Sequence, residues 1–177
     1  MITDSQLQLA NKQAISVASN TNVALANAID LGEGQGRMIG EGHPIQAVFT
    51  IGSSLTAGGF AGTGFSAVSF NIVLAEALSG TTIDVSGTWT SLCSLELDDT
   101  AAVAGKQYIL TISPQMFNTI DGALYSGNID GTTKLRYLGC LVKGFTSSGN
   151  MTGTLTCDIV LDIQDGRKSY KSGFKVV

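Results

Sequence analysis

Thr154-Leu155-Thr156-Cys157-Asp158-Ile159-Val160-Leu161-Asp162-Ile163-Gln164 places an apolar side chain at every odd position and, Val160 apart, a polar one at every even position. Successive side chains leave a strand on opposite sides. The stretch therefore reads as one long strand. Its core face is Leu155, Cys157, Ile159, Leu161 and Ile163, and Asp158 and Asp162 act as solvating charge on the wet face. The same period of two recurs upstream. Ile45, Ala47, Phe49 and Ile51 share a face, as do Val68, Phe70, Ile72 and Leu74. Ile83, Val85, Gly87 and Trp89 form another set, then Tyr108, Leu110 and Ile112, then Leu135, Tyr137 and Leu141. Gly, Ser, Asn and Asp fill the intervals, and 22 glycines stand against 2 prolines. Closely spaced strands with turn residues between them predict an all-β sandwich or barrel. Phe70, Ile72, Trp89, Leu110 and Tyr137 join the odd residues of 155–163 in the expected core. One short helical turn is expected at residues 98–105, where the acids come first and Gly105 last.

The 177 residues suit one domain, with enough chain to bury a core without disulfides. Only 14% of the side chains are charged, against about 25% in an ordinary soluble domain. Solvated surface needs charge, so much of this surface is expected to be committed to other protein. Mean hydropathy is +0.25. No run approaches the ~18 apolar residues of a membrane span. Residues 1–5 show neither the basic nor the apolar region of a secretion signal. No membrane partner is expected. Cys93, Cys140 and Cys157 are odd in number and widely spaced, which reads as reduced, buried thiols.

The net charge of −4 is uneven. Residues 1–133 carry three basic and eleven acidic side chains, and residues 134–177 carry seven basic and three acidic. The tail, residues 166–177, holds Arg167, Lys168, Lys171 and Lys175 with no acid. Charges this interrupted fall short of a nucleic-acid signal, and no nucleic-acid partner is expected. Residues 16–27 are uncharged and rich in Ala, Ser, Asn and Thr. Residues 1–31 read either as an extended arm lying on a neighbouring subunit or as a first strand.

Catalytic constellations are not found. Gly62-Thr63-Gly64-Phe65-Ser66-Ala67 matches a dinucleotide fingerprint by spacing, but the residues after it alternate like a strand. A phosphate site there needs a helix N-terminus. There is no GxSxG nucleophile elbow. His43, the one histidine, sits beside Pro44 in a Gly-rich turn. Asp98 and Asp99 are adjacent and would point apart in an extended segment. No catalytic, metal-ligating or cofactor-binding residues are assigned, and no cofactor is expected. The chain is read as a non-enzyme.

Two blocks carry a family signal. One is Gln13-Ala14, Ser19-Asn20-Thr21-Asn22-Val23 and Ile29-Asp30-Leu31-Gly32, with Gly42-His43-Pro44-Ile45 following. The other is Lys134-Leu135-Arg136-Tyr137-Leu138-Gly139, then Gly153 and residues 158–165. Together they resemble the capsid cement, or decoration, proteins of tailed bacteriophages, as in the Bordetella short-tailed phage. The resemblance implies a jelly-roll-like two-sheet β-sandwich with Gly-rich loops that clamps neighbouring major capsid proteins from outside the head. It also implies a homodimer or other homo-oligomer, a place on the outer capsid surface of the virion, and synthesis in the host bacterial cytoplasm. Residues 55–64 and 78–89 look like insertions relative to that family.

A cement protein needs a scaffold and a low-charge contact face rather than a pocket. Candidate contacts with the shell or another subunit are Ser16, Val17, Asn20, Asn22, Val23 and Leu25 in the N-terminal segment. Gly34, Gly36, Gly58, Gly59 and Phe60 are candidates in the Gly-rich loops, and Arg167 and Lys168 in the tail. The alternatives are another virion β-sandwich, such as a head fibre or tail component, and a carbohydrate-binding module.

Overall fold

Alternation becomes strand in most places where it was read. A computed structural model of the protein describes residues 7–31, 44–52, 60–113 and 135–160. It contains β1 (Gln8–Ala18), β2 (Asn22–Ala24), β3 (Ile29–Asp30), β4 (Ile45–Ile51), β5 (Phe65–Ala75) and β6 (Leu78–Ser79). These are followed by β7 (Thr82–Ile83), β8 (Trp89–Asp98), β9 (Gln107–Ile112), β10 (Tyr137–Thr146) and β11 (Asn150–Val160). The stretch that decided the fold is β11, shifted to begin at Asn150. Leu161, Asp162, Ile163, Arg167 and Lys168 lie outside the described residues, as do His43, Gly34, Gly36, Gly58 and Gly59.

Apart from the β6–β7 hairpin, the described strands form two antiparallel sheets, β1-β11-β4-β9 and β2-β10-β5-β8, with β3 continuing β2 along β10. With the two-residue strands set aside, the pairing is nested. The first long strand pairs with the last, β1 with β11, and β2 pairs with β10, β4 with β9, and β5 with β8. The β4–β11 and β5–β10 pairs then close each sheet. A chain folded back on itself in this nested way, with successive strands crossing between two sheets, is a jelly roll.

The core lies between the sheets. Phe49 of β4 and Phe70 of β5, both fully buried, stack with ring centroids 5.0 Å apart. Phe60 tilts against Phe70 at 5.9 Å and is buried. On β11, Met151, Leu155, Cys157 and Ile159 face this core. A side chain at Gly153 would run into the Phe60 ring, so that position takes the one residue that lets the ring seat.

Several expectations are corrected. Residues 83–89 are not one strand: β7 ends at Ile83, and a turn follows in which the Gly87 N–H donates to the Asp84 carbonyl at 3.2 Å. Val85 is therefore exposed. Trp89 and Tyr137 leave the main core. With Leu78, Ile83, Val73 and Leu141 they form a second cluster on the outer face of the second sheet, under the β6–β7 hairpin. Residues 78–89, read as an insertion, are this hairpin and its turn. The short turn expected at residues 98–105, by contrast, is present. The Ala102 N–H donates to the Asp98 carbonyl at 3.0 Å, and the Asp98 carboxylate accepts from the Ala101 N–H at 2.7 Å. Asp158 is not solvating charge: it is buried and accepts a hydrogen bond from Gln8 Nε2 at 2.9 Å.

Candidate contact surface

Opposite residues of an antiparallel pair point to the same side of the sheet. In the first sheet the inner rows are Cys157–Phe49–Tyr108 and Ile159–Ala47–Leu110. The outer rows therefore follow from register alone. They are Ala18–Asn150, Ser16–Thr152, Ala14–Thr154, Thr156–Thr50–Gln107, Asp158–Val48–Ile109 and Val160–Gln46–Thr111. Among the described residues on this four-stranded face the single ionisable side chain is Asp158, buried beneath the Gln8 amide. Ala14, Ser16, Ala18, Asn150 and Thr152 are exposed. Asn150 Nδ2 donates to Ser16 Oγ at 3.2 Å, tying two of these strands on the face itself. Lys12 lies at the face's border, at a bulge of the edge strand, and Lys106 just precedes β9.

The outer face of the second sheet differs. It carries Lys143, whose Nζ sits 5.1 Å from the Phe145 ring centroid, and the exposed acids Glu96 and Asp98. Its other half is covered by the β6–β7 hairpin, seated where Ile83 meets Gly139. Among the described residues the two outer faces thus divide into one bearing exposed charge and the hairpin, and one of Thr, Ser, Ala, Asn and Gln with Val48, Ile109, Val160 and the buried Asp158.

The sequence candidates separate on this frame. Ser16 lies on the uncharged face and Asn20 is exposed at the corner where β1 crosses to β2. The Asn20 N–H donates to the Gly144 carbonyl at 3.0 Å, and the residue adopts φ 58, a conformation Asn tolerates better than most residues. Val17, Leu25 and Phe60 are core residues and present no surface to a partner. Val23 packs half-buried against that core, and Asn22 pairs with Lys143 in the ladder. Residues 8–18 are an integral strand paired along β11 rather than a free arm. What sequence reasoning missed was the rest of the face, Ala14, Ala18, Asn150 and Thr152, because it emerges only when strands from both ends of the chain lie side by side.

Several titratable groups within the described residues are engaged in structure. The Asp98 carboxyl is held below its ordinary value by hydrogen bonds from the Thr100 hydroxyl and the Ala101 N–H. Asp84 is lowered by the hydroxyl and N–H of Ser86. Both are turn caps. Burial, with Cys140 nearby, pushes the Cys93 thiol up to about 11. Burial also raises Cys157 well above the usual thiol range. Neither thiol is a ready nucleophile, since the thiolate is the reactive form. Among the described residues no group of three or more His, Cys, Asp or Glu is placed to hold a metal ion.

Asp30 and Arg136 meet across β3 and β10. Arg136 Nε donates to Asp30 Oδ1 at 2.6 Å, and a second N–H reaches Oδ2, a forked pair. Arg136 also lies 5.3 Å from the Tyr137 ring centroid. Each residue belongs to one of the two blocks that carried the family resemblance. In the comparisons with known proteins, no protein-family model matches the chain and no curated protein aligns with it significantly.

Proposed function

We propose that this chain is a structural virion protein, a capsid cement that lies on the outside of a phage head and stabilises contacts between major capsid proteins. The uncharged outer face of the first sheet carries the proposal. Burying an unpaired charge against protein costs several kcal/mol, whereas Thr, Ser, Ala and Asn surface is removed from water cheaply. A face of four strands without an exposed ionisable group in its rows among the described residues, on a chain that does carry charge elsewhere, is suited to lie flat on other protein. The jelly roll supplies a rigid plate for it, and many weak copies bound to one shell act with the strength of multivalency. The resemblance names the partner, and the fold lays part of one block against part of the other: Ile29 and Asp30 lie opposite Leu138 and Tyr137.

The test is co-sedimentation of the protein with empty shells of the cognate capsid protein, followed by thermal melting of the decorated shell. Bound protein is expected to raise the shell's melting temperature. Ser16→Asp and Thr152→Asp, each adding a charge to the exposed face, are expected to weaken binding by at least about tenfold through desolvation. Unchanged binding by both folded variants, or binding without any change in shell melting, refutes the proposal.

A further inference from the structure

Among the described residues the two sheets have four edges, and three are blunted. The β1 edge is broken by two register shifts, and Lys12 sits there with φ 46. β2 is 3 residues long and β3 is 2, and β9 begins directly after the exposed Lys106. Short strands, bulges and lysine are the usual protections of an exposed edge. β8 is different. It has 10 residues, pairs with β5 on one side, and has no strand on its other side among the described residues. A single register shift displaces Leu92 and leaves residues 93–98 as an unbroken edge.

The ladder tells which groups that edge offers. The Asp99 N–H donates to the Ser66 carbonyl at 3.1 Å. Bonded pairs recur every second residue along an antiparallel ladder. Leu97, Leu95 and Cys93 therefore exchange bonds with Val68, Phe70 and Ile72. Ser94, Glu96 and Asp98, all exposed, turn their N–H and C=O groups outward.

We propose that this edge pairs with the same edge of a second copy of the chain, antiparallel, about a two-fold axis at Leu95. This register sets Ser94 opposite the partner's Glu96 twice over, so that a hydroxyl donor faces a carboxylate, and it sets Cys93 opposite the partner's Leu97 on the inner side. Sliding one step would oppose Glu96 to the partner's Glu96, a like-charge pair that is destabilising. Sliding the other way would bring Glu96 onto the partner's Leu92, the residue that the bulge displaces. The charge pattern thus selects one self-complementary register. Two bonded pairs supply about four backbone hydrogen bonds. Two bonded pairs make a small contact beside the ~1,200 Å² of a stable complex, so the free dimer is expected to be weak, with Kd in the range of about 0.1–1 mM. This inference does not rest on the capsid reading, and its test uses no shell.

The test is sedimentation equilibrium at low salt up to about 2 mM protein, with circular dichroism to establish folding. The wild type is expected to dimerise reversibly. Ser94→Lys creates two symmetric Lys–Glu cross-strand pairs and is expected to tighten the dimer by roughly tenfold, and Ser94→Glu to weaken it by a similar factor. Glu96→Pro removes an outward N–H and is expected to abolish pairing without touching the β5 ladder. Both Ser94 variants lie on an exposed position and decide the matter even if the proline variant does not fold. Monomeric wild type and Ser94→Lys throughout the range, as when the edge accepts only a strand of some other protein, overturns the proposal. So do equal dimer constants for Ser94→Lys and Ser94→Glu.

Discussion

Phe70→Ala is the substitution that tests the sandwich most directly. Phe70 is fully buried in β5, between Val142 of β10 and Leu95 of β8 in its own sheet, and it stacks on Phe49 of the opposite sheet at 5.0 Å with 19° between the rings. Phe60 closes a third side at 5.9 Å. Truncation removes the transfer energy of the ring and leaves a cavity whose walls belong to two hydrogen-bonded sheets, which relax little. Such changes cost ~3–5 kcal/mol. A domain of this size loses about 2–4 °C per kcal/mol, so melting should fall by roughly 6–20 °C. Phe70→Leu keeps most of the apolar volume and should cost about 1–2 kcal/mol. A double-mutant cycle with Phe49→Ala, read by urea unfolding, isolates the stacking contribution at about 0.5–1.5 kcal/mol. A loss below about 1 kcal/mol for Phe70→Ala, or a coupling of zero with Phe49→Ala, would refute the placement of these rings between the sheets.

Other expectations follow from single contacts. Ile159→Ala, on the inner face of β11, should cost ~2–5 kcal/mol in urea titrations, and the neighbouring half-exposed Val160→Ala under about 1.5 kcal/mol; equal losses would mean that the strand is rotated. Alkylation of Cys93 by iodoacetamide should be slow at pH 7 and accelerate as pH rises towards about 11, where burial has pushed its thiol; rapid labelling at neutral pH counts against that burial. Gly153→Ala drives a methyl group into the Phe60 ring and should cost ~1–3 kcal/mol, partly recovered when combined with Phe60→Leu. Recovery of nothing would mean that the strain lies elsewhere.

β4, β5 and β11 were legible in the sequence because their inner faces keep the period of two and polar residues such as Gln46, Thr50, Ser69, Asn71, Thr154 and Thr156 mark the intervening positions. β8 was not. Its inner residues Cys93, Leu95 and Leu97 keep the period, but the bulge at Leu92 shifts the phase, and the apolar Val85 just upstream belongs to a turn. The eye joins Ile83, Val85 and Trp89 into a strand that the backbone breaks after Ile83. Tyr137 and Trp89 were assigned to the main core because period alone cannot tell which side of a sheet is covered; the β6–β7 hairpin gives this sheet a second apolar side. The contact candidates Val17, Leu25 and Phe60 failed for a related reason. Low local charge marks both a docking face and a buried strand, and only the register separates Ser16, which faces out, from Val17, which faces in.

The nested pairing also bears on what a match at both ends of the chain means. In a jelly roll the first strands pair with the last, so the N-terminal and C-terminal blocks are one structural unit, joined by the β1–β11 ladder and by the forked Asp30–Arg136 pair. A likeness in both blocks is therefore weaker than two independent likenesses, since whatever selects one selects its partner across the sheet. It speaks first to how the sandwich closes. Function has to be carried by what the closed sandwich displays, because one fold serves many tasks. Among the described residues the display is asymmetric: a face without exposed charge in its rows on one side, a charged and hairpin-covered sheet on the other, and a long edge at β8. A plate offers lateral area to a surface and an edge offers direction to a neighbour. On this chain the two lie on different sheets, so that each can be altered without disturbing the other.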